Sequence, residues 1–398
     1  MNRKISDLLQ DRINANDFPS AVYLVAEKGD IVFQDALGYA VVEPEKIEAR
    51  VDTIYDLASL TKPLVTGLLF AGLVEDGTVK ADDRVGKYFS PKGVPANDRS
   101  LLSLLTHTSG FESWKPLYLL PDAPIFDPED FGCASENNDR IGEFVLHAIL
   151  ESQGRGKETE VIYSDLNFIL LGFLLELLSS TPLQTLVLSQ ISDRLGLQRT
   201  FPCGDLETRR KIAASEKGNE YERQICVELG YFPVEAGRGK RPVATARGSD
   251  FIRDRLIWGE VHDGNAYFMG GVAGHAGLFS TAEEVFKIAL QFLPNHTRLL
   301  KPETCELFRT NFTKGMNEDR SFAFQLASTK DSTAGARMSP ESFGHNGFTG
   351  TSLWIDPIKD RIFVLLTNRT HNHPLPFVNI NSVRRRFHDL AIEELDAR

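Results

Sequence analysis

The chain has 398 residues, enough to bury a large core and to form about two domains. Hydrophobic residues make up 42% of it and charged residues 25%, an ordinary composition for a globular protein. The net charge of −11 argues against a nucleic-acid-binding protein, because a phosphate backbone attracts basic surfaces.

Several features bear on the compartment. Residues 1–18 predict an amphipathic helix without the apolar centre of a secretory signal, and no apolar run is long enough to span a membrane. The chain as written therefore favours a cytoplasmic protein, or a periplasmic or exported one if a signal has been removed. The cysteines form no Cys-x-x-Cys pair and indicate reduced structural thiols. They are Cys133, Cys203, Cys226 and Cys305. The amino-acid sequence does not specify an oligomeric state.

The predicted elements run as follows. Two apolar runs around Lys28-Gly29-Asp30 predict a β-hairpin over residues 21–40. Helices are predicted from Ser59 onward, over 139–150 and over 165–180. Residues 211–258 mix charge, glycine and proline and predict an irregular insertion with short helices. A second pair of strands is predicted at 344–357 and 360–369, and a helix at 377–397.

Strands near both ends of the chain predict an α/β (α+β) fold. One antiparallel sheet is assembled from both termini and flanked by helices, with a mostly helical domain inserted. The predicted sheet domain comprises residues 1–80 and 265–398, and the insert comprises 81–264. Basic residues in the insert form a solvated surface or meet an anionic substrate. They are Arg238, Lys240, Arg241, Arg247, Arg253 and Arg255.

Ser59 and Lys62 lie three residues apart in the stretch YDLASLTKPLVTGLLFAGL and would share one helical face. A serine hydroxyl is a weak nucleophile until a base removes its proton. A lysine can be that base, or can relay the proton, if burial lowers its pKa. Pro63 fits the first turn of a helix that begins here. Because Ser-x-x-Lys arises by chance about once in a chain of this length, the pair alone does not establish an active site.

Three further motifs follow in order. They are LLTHTSG at 104–110, VIYSDLNFILLG at 161–172 and GHNGFTGTSLWIDP at 344–357. With Ser-x-x-Lys, this set resembles the serine β-lactamase and penicillin-binding-protein superfamily, nearest the branch of class C β-lactamases, DD-peptidases, D-aminopeptidases and family VIII esterases. That family carries Ser-x-x-Lys, then Tyr-x-Asn, then Lys-Thr-Gly or His-x-Gly. The resemblance covers nearly the whole chain and includes GGVAGHAGLFSTAEEV at 270–285.

The resemblance implies a serine hydrolase that works through an acyl-enzyme. Ser59 would be the acylated nucleophile, and Lys62 would hydrogen-bond it and pass protons. Tyr163 would be a second base, with its phenol pKa lowered by Lys62. The backbone N–H groups of Ser59 and Phe348 would form the oxyanion hole.

Residues at the third motif would shape the substrate-binding edge. His345 would line the strand opposite the nucleophile, and Gly347 would let substrate lie close to that strand. His345 stands where β-lactamases often have lysine. A largely neutral histidine suits the carboxylate of a β-lactam less well than a permanent cation does.

Asp165 is a second departure, since the family usually has asparagine there. An ionised carboxylate accepts hydrogen bonds but donates none, and it would hold Lys62 protonated. Tyr163 would then be the general base. Both residues of this motif also have structural interpretations, Tyr163 as a core tyrosine and Asp165 as a cap of the helix that follows.

Other histidines are less informative. His107 in LLTHTSG is expected to brace a turn. His275 either approaches the pocket or stabilises its own loop. His262 and Asp263 are expected to form a structural hydrogen-bonded pair, with substrate contact as the alternative.

Signatures of other enzyme classes do not occur in this sequence. It contains no Gly-x-Ser-x-Gly elbow, no His-Glu-x-x-His and no phosphate-binding glycine motif. We therefore expect no cofactor and no metal. The expected partner is a small ester, peptide or lactam, most simply an ester or an amide with a D-amino-acid or peptidoglycan-type group. A β-lactamase or DD-peptidase proper, and a non-catalytic sensor on the same fold, are the alternatives.

Overall fold

The structure is a computed structural model that describes residues 1–89, 98–124, 136–152, 160–202, 208–232 and 251–398. Its strands are β1 Ser20–Glu27, β2 Asp30–Val41, β3 Ile47–Glu48, β4 Tyr55–Asp56, β5 Phe201–Pro202, β6 Leu278–Ser280, β7 Gln325–Leu326, β8 Phe343–Asn346, β9 Ser352–Asp356 and β10 Arg361–Thr367. Its α-helices are α1 Arg3–Asn14, α2 Leu68–Glu75, α3 Gly86–Phe89, α4 Leu101–Leu105, α5 Glu136–Leu150, α6 Asp165–Ser179, α7 Leu183–Leu186, α8 Asp193–Leu195, α9 Glu220–Glu228, α10 Gly264–Phe268, α11 Ala282–Ala289 and α12 Asn381–Asp396.

Both ends of the chain contribute to one antiparallel sheet, as the sequence predicts. Within the described ranges it has seven strands in the order β3-β2-β1-β10-β9-β8-β7. At its centre β1 pairs with β10, so that Ala21 lies opposite Thr367 and Glu27 opposite Arg361. The predicted mixed fold of sheet and helices is thereby confirmed, while the domain limits stay a prediction.

The central strand β1 separates two cores. Because side chains alternate along a strand, Val22 and Leu24 enter the larger core, whereas Tyr23 and Val25 enter the smaller one. The smaller core is closed by the terminal helices α1 and α12. The larger core holds the stretch 57–75 and helix α6, and it therefore determines where Ser59 and Tyr163 lie.

The stretch after Ser59 is helical but not uniformly α-helical. A 3-10 turn covers Ala58–Leu60, a π-helical segment covers Lys62–Gly67, and α2 follows. Pro63 falls in the first positions of the π-helical segment, where its missing N–H removes no internal hydrogen bond. The predicted helix is therefore confirmed, but its first part, Lys62–Gly67, is a π-helix, which is wider than an α-helix.

Two boundary predictions near the C-terminus are wrong. The stretch 344–357 is two strands, β8 and β9, joined by a turn in which the N–H of Gly347 donates to the carbonyl of Thr351. Gly350 has a φ of 114° in that turn, which glycine adopts without strain. Helix α12 begins at Asn381 rather than at residue 377.

The predicted insertion is described only in part. Helix α9 lies within it, as expected for short helices, but residues 233–250 fall outside the described residues and with them most of the basic cluster. Arg253 is buried and donates to the carbonyls of Val261 and His262, which is a structural role. Arg255 pairs with Glu260 at the surface.

The cysteine prediction is partly testable. Cys226 and Cys305 are buried free thiols. Cys133 and Cys203 lie outside the described residues.

The expectation that no apolar run is long enough to span a membrane is wrong by length and composition alone, within the described residues. The stretch Ala58–Glu75 is long and apolar enough to cross a membrane, and the bent pair Asp165–Ser179 with Leu183–Leu195 would be a second candidate if it formed one span. Yet 67% of the first stretch is buried inside the protein, as in a core helix. Length and composition are therefore weak support for a span.

Helix α6 packs against backbone, which makes Gly172 sensitive to substitution. A Cβ at this position would lie 2.9 Å from the backbone nitrogen of Gly274. We expect Gly172→Ala to lower the free energy of unfolding by about 1–3 kcal/mol through overpacking, measured by denaturant titration.

Gly72→Ala is the matched control, because Gly72 also lies within an α-helix. Its Cβ would meet only Leu300 Cδ2, at an ordinary 3.9 Å. It should leave stability unchanged or raise it by up to about 1 kcal/mol through helix propensity. Equal effects of the two variants would contradict the packing argument.

Candidate active site

The predicted site residues meet in one pocket of about 770 Å³. Its walls include Ser59, Tyr163, Asp165, His345, Gly347 and Phe348. Lys62 lies beneath this pocket with its side chain fully buried. Residues separated by up to 289 positions in the sequence are thus brought together by the large core and the edge of β8.

Ser59 is held in a sharp turn. The preceding residue, Ala58, has a φ of 47°, which is uncommon for a residue with a Cβ. The turn is fixed because the Ala58 N–H donates to Asp56 Oδ1 at 2.8 Å. The hydroxyls of Thr349 and Thr351 donate to two successive backbone carbonyls just before Ala58. The loop after β8 therefore fixes the position of the nucleophile.

Lys62 Nζ has three acceptors, which matches its three N–H groups. It donates to Ser59 Oγ at 2.9 Å and to the backbone carbonyl of His275 at 3.3 Å, and it lies 2.7 Å from Asp165 Oδ1. Burial by itself lowers the pKa of Lys62, but Asp165 and Tyr163 outweigh it and raise the pKa above its ordinary value. Lys62 is therefore held as an ammonium, as predicted from Asp165.

Tyr163 lines the pocket with its ring 5.0 Å from Lys62 Nζ. The sequence-based prediction that the pKa of its phenol is lowered is wrong. Burial raises the pKa of Tyr163, and the nearby Lys62 charge lowers it by less. The desolvation of a phenolate depends on the completed fold, and for that reason the local motif does not reveal it.

Asp165 occupies the first position of α6, and its side chain is used for the ion pair with Lys62. The N-cap residue is Ser164, whose side chain makes no capping hydrogen bond. The interpretation of Asp165 as a simple helix cap is therefore wrong. The ion pair between Asp165 Oδ1 and Lys62 Nζ, at 2.7 Å, instead connects α6 to the stretch that carries Ser59.

His107 braces more than a turn. Its carbonyl accepts from the N–H of Ile162 at 2.8 Å, and its Nδ1 accepts from the N–H of Ser164 at 3.0 Å. The N–H groups of the two residues on either side of Tyr163 thus donate to one residue, whose ring also packs 4.5 Å from the Tyr163 ring. Burial lowers the pKa of His107 well below its ordinary value, so this support carries no charge.

His345 ends β8 at the pocket wall and is 5% exposed. Its Nδ1 lies 2.8 Å from the carbonyl oxygen of Asn346, so Nδ1 carries the hydrogen and donates it. Burial, with Lys62 and Arg320 nearby, lowers the pKa of His345 well below its ordinary value. Nε2 is then an unprotonated acceptor, and it has no hydrogen-bond partner among the described residues.

Gly347 lies just beyond β8, not at the start of a strand as predicted. A Cβ there would overlap the Thr351 hydroxyl and the carbonyl of Leu57. The glycine therefore allows this turn to pack on the segment that precedes the nucleophile. In the described part of the chain, the N–H groups of Ser59 and Phe348 are not seen to donate outside their own turns, which leaves both for a ligand.

The expected pairing of His262 with Asp263 is wrong. His262 Nε2 lies 2.8 Å from Glu216, whereas Asp263 Oδ1 lies 2.9 Å from His275 Nε2. Although the two residues are adjacent in sequence, their side chains meet different neighbours. Asp263 faces the pocket. His275 stabilises its loop through Asp263 and offers its carbonyl to Lys62.

One group of side chains among the described residues has the composition of a metal site. Ligand atoms of Asp165, Asp263 and His275 lie within 4.8 Å of one another. Asp165 is already paired with Lys62, and Asp263 already accepts from His275.

Two pocket arginines escaped the sequence-based prediction. Arg384 of α12 donates to the carbonyls of Gly347 and Thr351, and Arg369 donates to the carbonyl of Phe348. Neither has a carboxylate partner among the described residues. Burial lowers the pKa of both guanidinium groups. In sequence, the run Arg384-Arg385-Arg386 resembles a solvated helix face. Only the packing of α12 shows that Arg384 is buried.

Comparison with known proteins agrees with this geometry. The family model described as Beta-lactamase matches residues 4–384. A protein of Salmonella gallinarum named "Putative D-alanyl-D-alanine carboxypeptidase" is 31% identical over 93% of this chain and 83% of its own length. An Escherichia coli K12 protein of the same name is 30% identical over 89% of this chain and 79% of its own length.

Solved structures share the fold. The octameric penicillin-binding protein homologue from Pyrococcus abyssi has a TM-score of 0.69 at 18% identity, covering 98% of this chain and 77% of its own. EstCE1, a hydrolase with promiscuous acyltransferase activity, has a TM-score of 0.66 at 19% identity over 97% of both chains. A class C β-lactamase from Rhodobacter sphaeroides has a TM-score of 0.66 at 15% identity over 99% of both chains. With a family model that spans nearly all its residues, the chain belongs to the beta-lactamase family of serine hydrolases.

Proposed function

We propose that this protein hydrolyses a D-alanyl-type peptide, or a related small ester, through an acyl-enzyme at Ser59. The observation that carries the proposal is the buried chain of contacts from Ser59 Oγ through Lys62 Nζ to Asp165 Oδ1, at 2.9 and 2.7 Å, beneath an open pocket. A fully buried lysine is costly unless it has partners and a purpose. Here it points at a serine that is only partly buried and can reach substrate.

Acylation is assigned to Ser59 and Tyr163. Lys62 remains an ammonium, which has no lone pair and cannot accept a proton. The Tyr163 phenolate takes the proton from Ser59 Oγ while Oγ bonds to the carbonyl carbon of the substrate. The developing oxyanion accepts from the N–H groups of Ser59 and Phe348. The scissile bond then breaks, and the Tyr163 hydroxyl returns the proton to the departing amine or alcohol.

Deacylation reverses these roles. A water molecule gives its proton to Tyr163 as its oxygen attacks the acyl carbon, and the Tyr163 hydroxyl then passes this proton to Ser59 Oγ as Oγ departs, which restores the phenolate. The ammonium of Lys62 stabilises the negative charge on Oγ in both half-reactions. His107, which holds the backbone on both sides of Tyr163, keeps the base in place.

The choice of substrate rests on the relatives' names and on the arginines. Arg384, which is buried, and Arg369, which is partly buried, line the pocket at the loop after β8, and neither has a carboxylate partner in the described part of the protein. A guanidinium fork binds a carboxylate well, and a D-alanine leaving group carries one. A β-lactamase proper is less favoured, because His345 and Asp165 stand where that activity uses lysine and asparagine.

Ser59→Ala should abolish turnover. We expect the wild type to hydrolyse at least one of D-alanyl-D-alanine, p-nitrophenyl acetate, p-nitrophenyl butyrate and nitrocefin, and intact mass to show one acyl adduct. The variant should show neither, because the bond-forming oxygen is gone. Ser179→Ala, at an exposed serine, should behave as wild type. An adduct on the Ser59 variant would refute this assignment of the nucleophile.

Tyr163→Phe should lower kcat by about 10²–10⁴-fold, the range for loss of a general base. The substitution removes the hydroxyl and keeps the aromatic ring, so the packing against His107 is kept. Steady-state kinetics on the best ester of the panel measures the effect. Tyr39→Phe, at an exposed tyrosine, is the control. Near-normal turnover in the Tyr163 variant would exclude this residue as the base.

The pH profile should rise toward alkaline pH. Burial raises the pKa of Tyr163, and Asp165 raises the pKa of both Tyr163 and Lys62. The site must lose one proton before it can accept one from Ser59, so kcat/KM should increase as pH rises above neutral. Asp165→Asn removes the charge that raises both pKa values and should shift this limb to lower pH.

Asp193→Asn is the matched control, because Asp193 is an exposed aspartate that also begins an α-helix. Its profile should coincide with that of wild type. If the rise of kcat/KM occurs at the same pH in Asp165→Asn as in wild type, the titrating group is insensitive to Asp165.

A further inference from the structure

Glu216 is a buried glutamate that bonds to two neighbours of the proposed oxyanion hole. Its Oε2 lies 2.8 Å from His262 Nε2, and its Oε1 accepts from the backbone N–H of Tyr221 at 3.0 Å. Both oxygens of the carboxylate are therefore engaged with protein groups. Glu216 is not among the described residues that line the pocket, so it acts on a bound substrate only through these neighbours.

The two partners of Glu216 pack on the side chain of Phe348. The centroid of the Phe348 ring lies 4.7 Å from that of the Tyr221 ring and 5.4 Å from that of the His262 ring. The carbonyl of Phe348 is fixed separately, because it accepts from Arg369 Nε at 2.8 Å. Since the N–H of Phe348 is one of the two proposed donors to the oxyanion, Glu216 holds the residues that confine the side chain of this donor residue.

His262 is also connected to the other proposed donor, through its backbone. The N–H of His262 donates to Asp56 Oδ2 at 2.7 Å, and Asp56 Oδ1 accepts from the N–H of Ala58 at 2.8 Å. Ala58 has the positive φ of the turn that presents Ser59. The backbone of His262 is thus linked to the turn of the nucleophile, while its ring contacts Phe348.

The contact between Glu216 and His262 holds the ring by charge as well as by geometry. Burial lowers the pKa of His262, but the hydrogen bond and the charge of Glu216 raise it, and with Glu222 and Asp56 they bring it above its ordinary value. The imidazolium form, whose Nε2–H donates to Glu216, is thereby favoured. The two side chains are only 5% and 4% exposed, so this charge-assisted hydrogen bond is little screened by water.

We propose that Glu216 and His262 are positioning residues of the oxyanion hole, which hold the N–H of Phe348 at a fixed place relative to the N–H of Ser59. This inference rests on the proposed function and deepens it. Donors of an oxyanion hole stabilise the transition state only when they lie within hydrogen-bonding distance of the place where the oxyanion forms. A looser contact between Glu216 and His262 should therefore weaken the stabilisation of negative charge on oxygen in particular.

The test compares two esters that differ in one atom. Attack of Ser59 on p-nitrophenyl acetate places negative charge on oxygen, whereas attack on O-p-nitrophenyl thionoacetate places it on sulfur, a larger and weaker hydrogen-bond acceptor. The ratio of the two kcat/KM values, oxygen ester over sulfur ester, reports how well the donors are placed for oxygen. Loss of folded protein lowers both values by the same factor and leaves the ratio unchanged.

Glu216→Gln keeps the size of the side chain and removes the charge that holds His262. We expect kcat/KM for p-nitrophenyl acetate to fall at least about tenfold, less than the loss of a whole oxyanion donor would cost. The ratio of oxygen ester to sulfur ester should fall at least about threefold, because the sulfur ester depends less on the placement of the donors. An unchanged ratio would make Glu216 a merely structural residue and overturn the proposal.

Glu284→Gln is the matched control. Glu284 is also a buried glutamate with several donors, which are the N–H groups of Gln198 and Arg199 and the hydroxyl of Thr200. It is not among the described residues that line the pocket. The ratio of the two esters should match that of wild type in this variant, even if the amount of folded protein falls.

His262→Gln is the second variant, and it carries the comparison if Glu216→Gln does not fold. Glutamine offers a side-chain N–H to Glu216 but removes the ring that packs on Phe348. The ratio of oxygen ester to sulfur ester should fall as in Glu216→Gln. The double variant should fall no further than the lower single variant, because both changes act through one contact. Losses that multiply in the double variant would contradict a shared role.

The two esters also separate this inference from the proposed function. If the wild-type protein hydrolyses neither ester in a Ser59-dependent way, the proposed function fails and the inference fails with it. If hydrolysis depends on Ser59 but both variants keep the wild-type ratio, the proposed hydrolase stands and this inference alone fails.

Discussion

The ion pair between Lys62 and Asp165 is the contact on which the rest of the site depends. A fully buried ammonium is tolerated only with its hydrogen bonds complete, and here Ser59, Asp165 and the His275 carbonyl complete them. Those three acceptors come from the 3-10 turn, from α6 and from the loop before β6. The requirement of one buried charge therefore fixes three separate segments relative to one another.

The same constraint explains the division of roles. Because Lys62 cannot give up its proton easily, it acts as a fixed positive charge beside Ser59, and proton transfer is left to Tyr163. The position of Tyr163 is set by His107, which accepts from the N–H groups of Ile162 and Ser164 on either side of it. A strained φ of 60° at His107 is the local cost of making both bonds. The motif LLTHTSG thus positions Tyr163, the proposed general base, through His107.

The sequence predicted the features that depend on local spacing. The i, i+3 spacing of Ser59 and Lys62, the first hairpin and helix α6 follow from periodicity and turn residues. The net pKa of Tyr163 did not follow, because it depends on burial by residues far along the chain. The partner of Asp263 and the role of Arg384 were missed for the same reason. Alternation along a segment says which way a side chain points, but not what it meets.

Charge placement connects these points to selectivity. Replacing the family's asparagine by Asp165 keeps Lys62 charged, while Asp263 is held by His275 and by the N–H of Ala266. At both departures from the family pattern a hydrogen-bond donor is replaced by an acceptor: Asp165 accepts from Lys62, and His345 has an unprotonated Nε2.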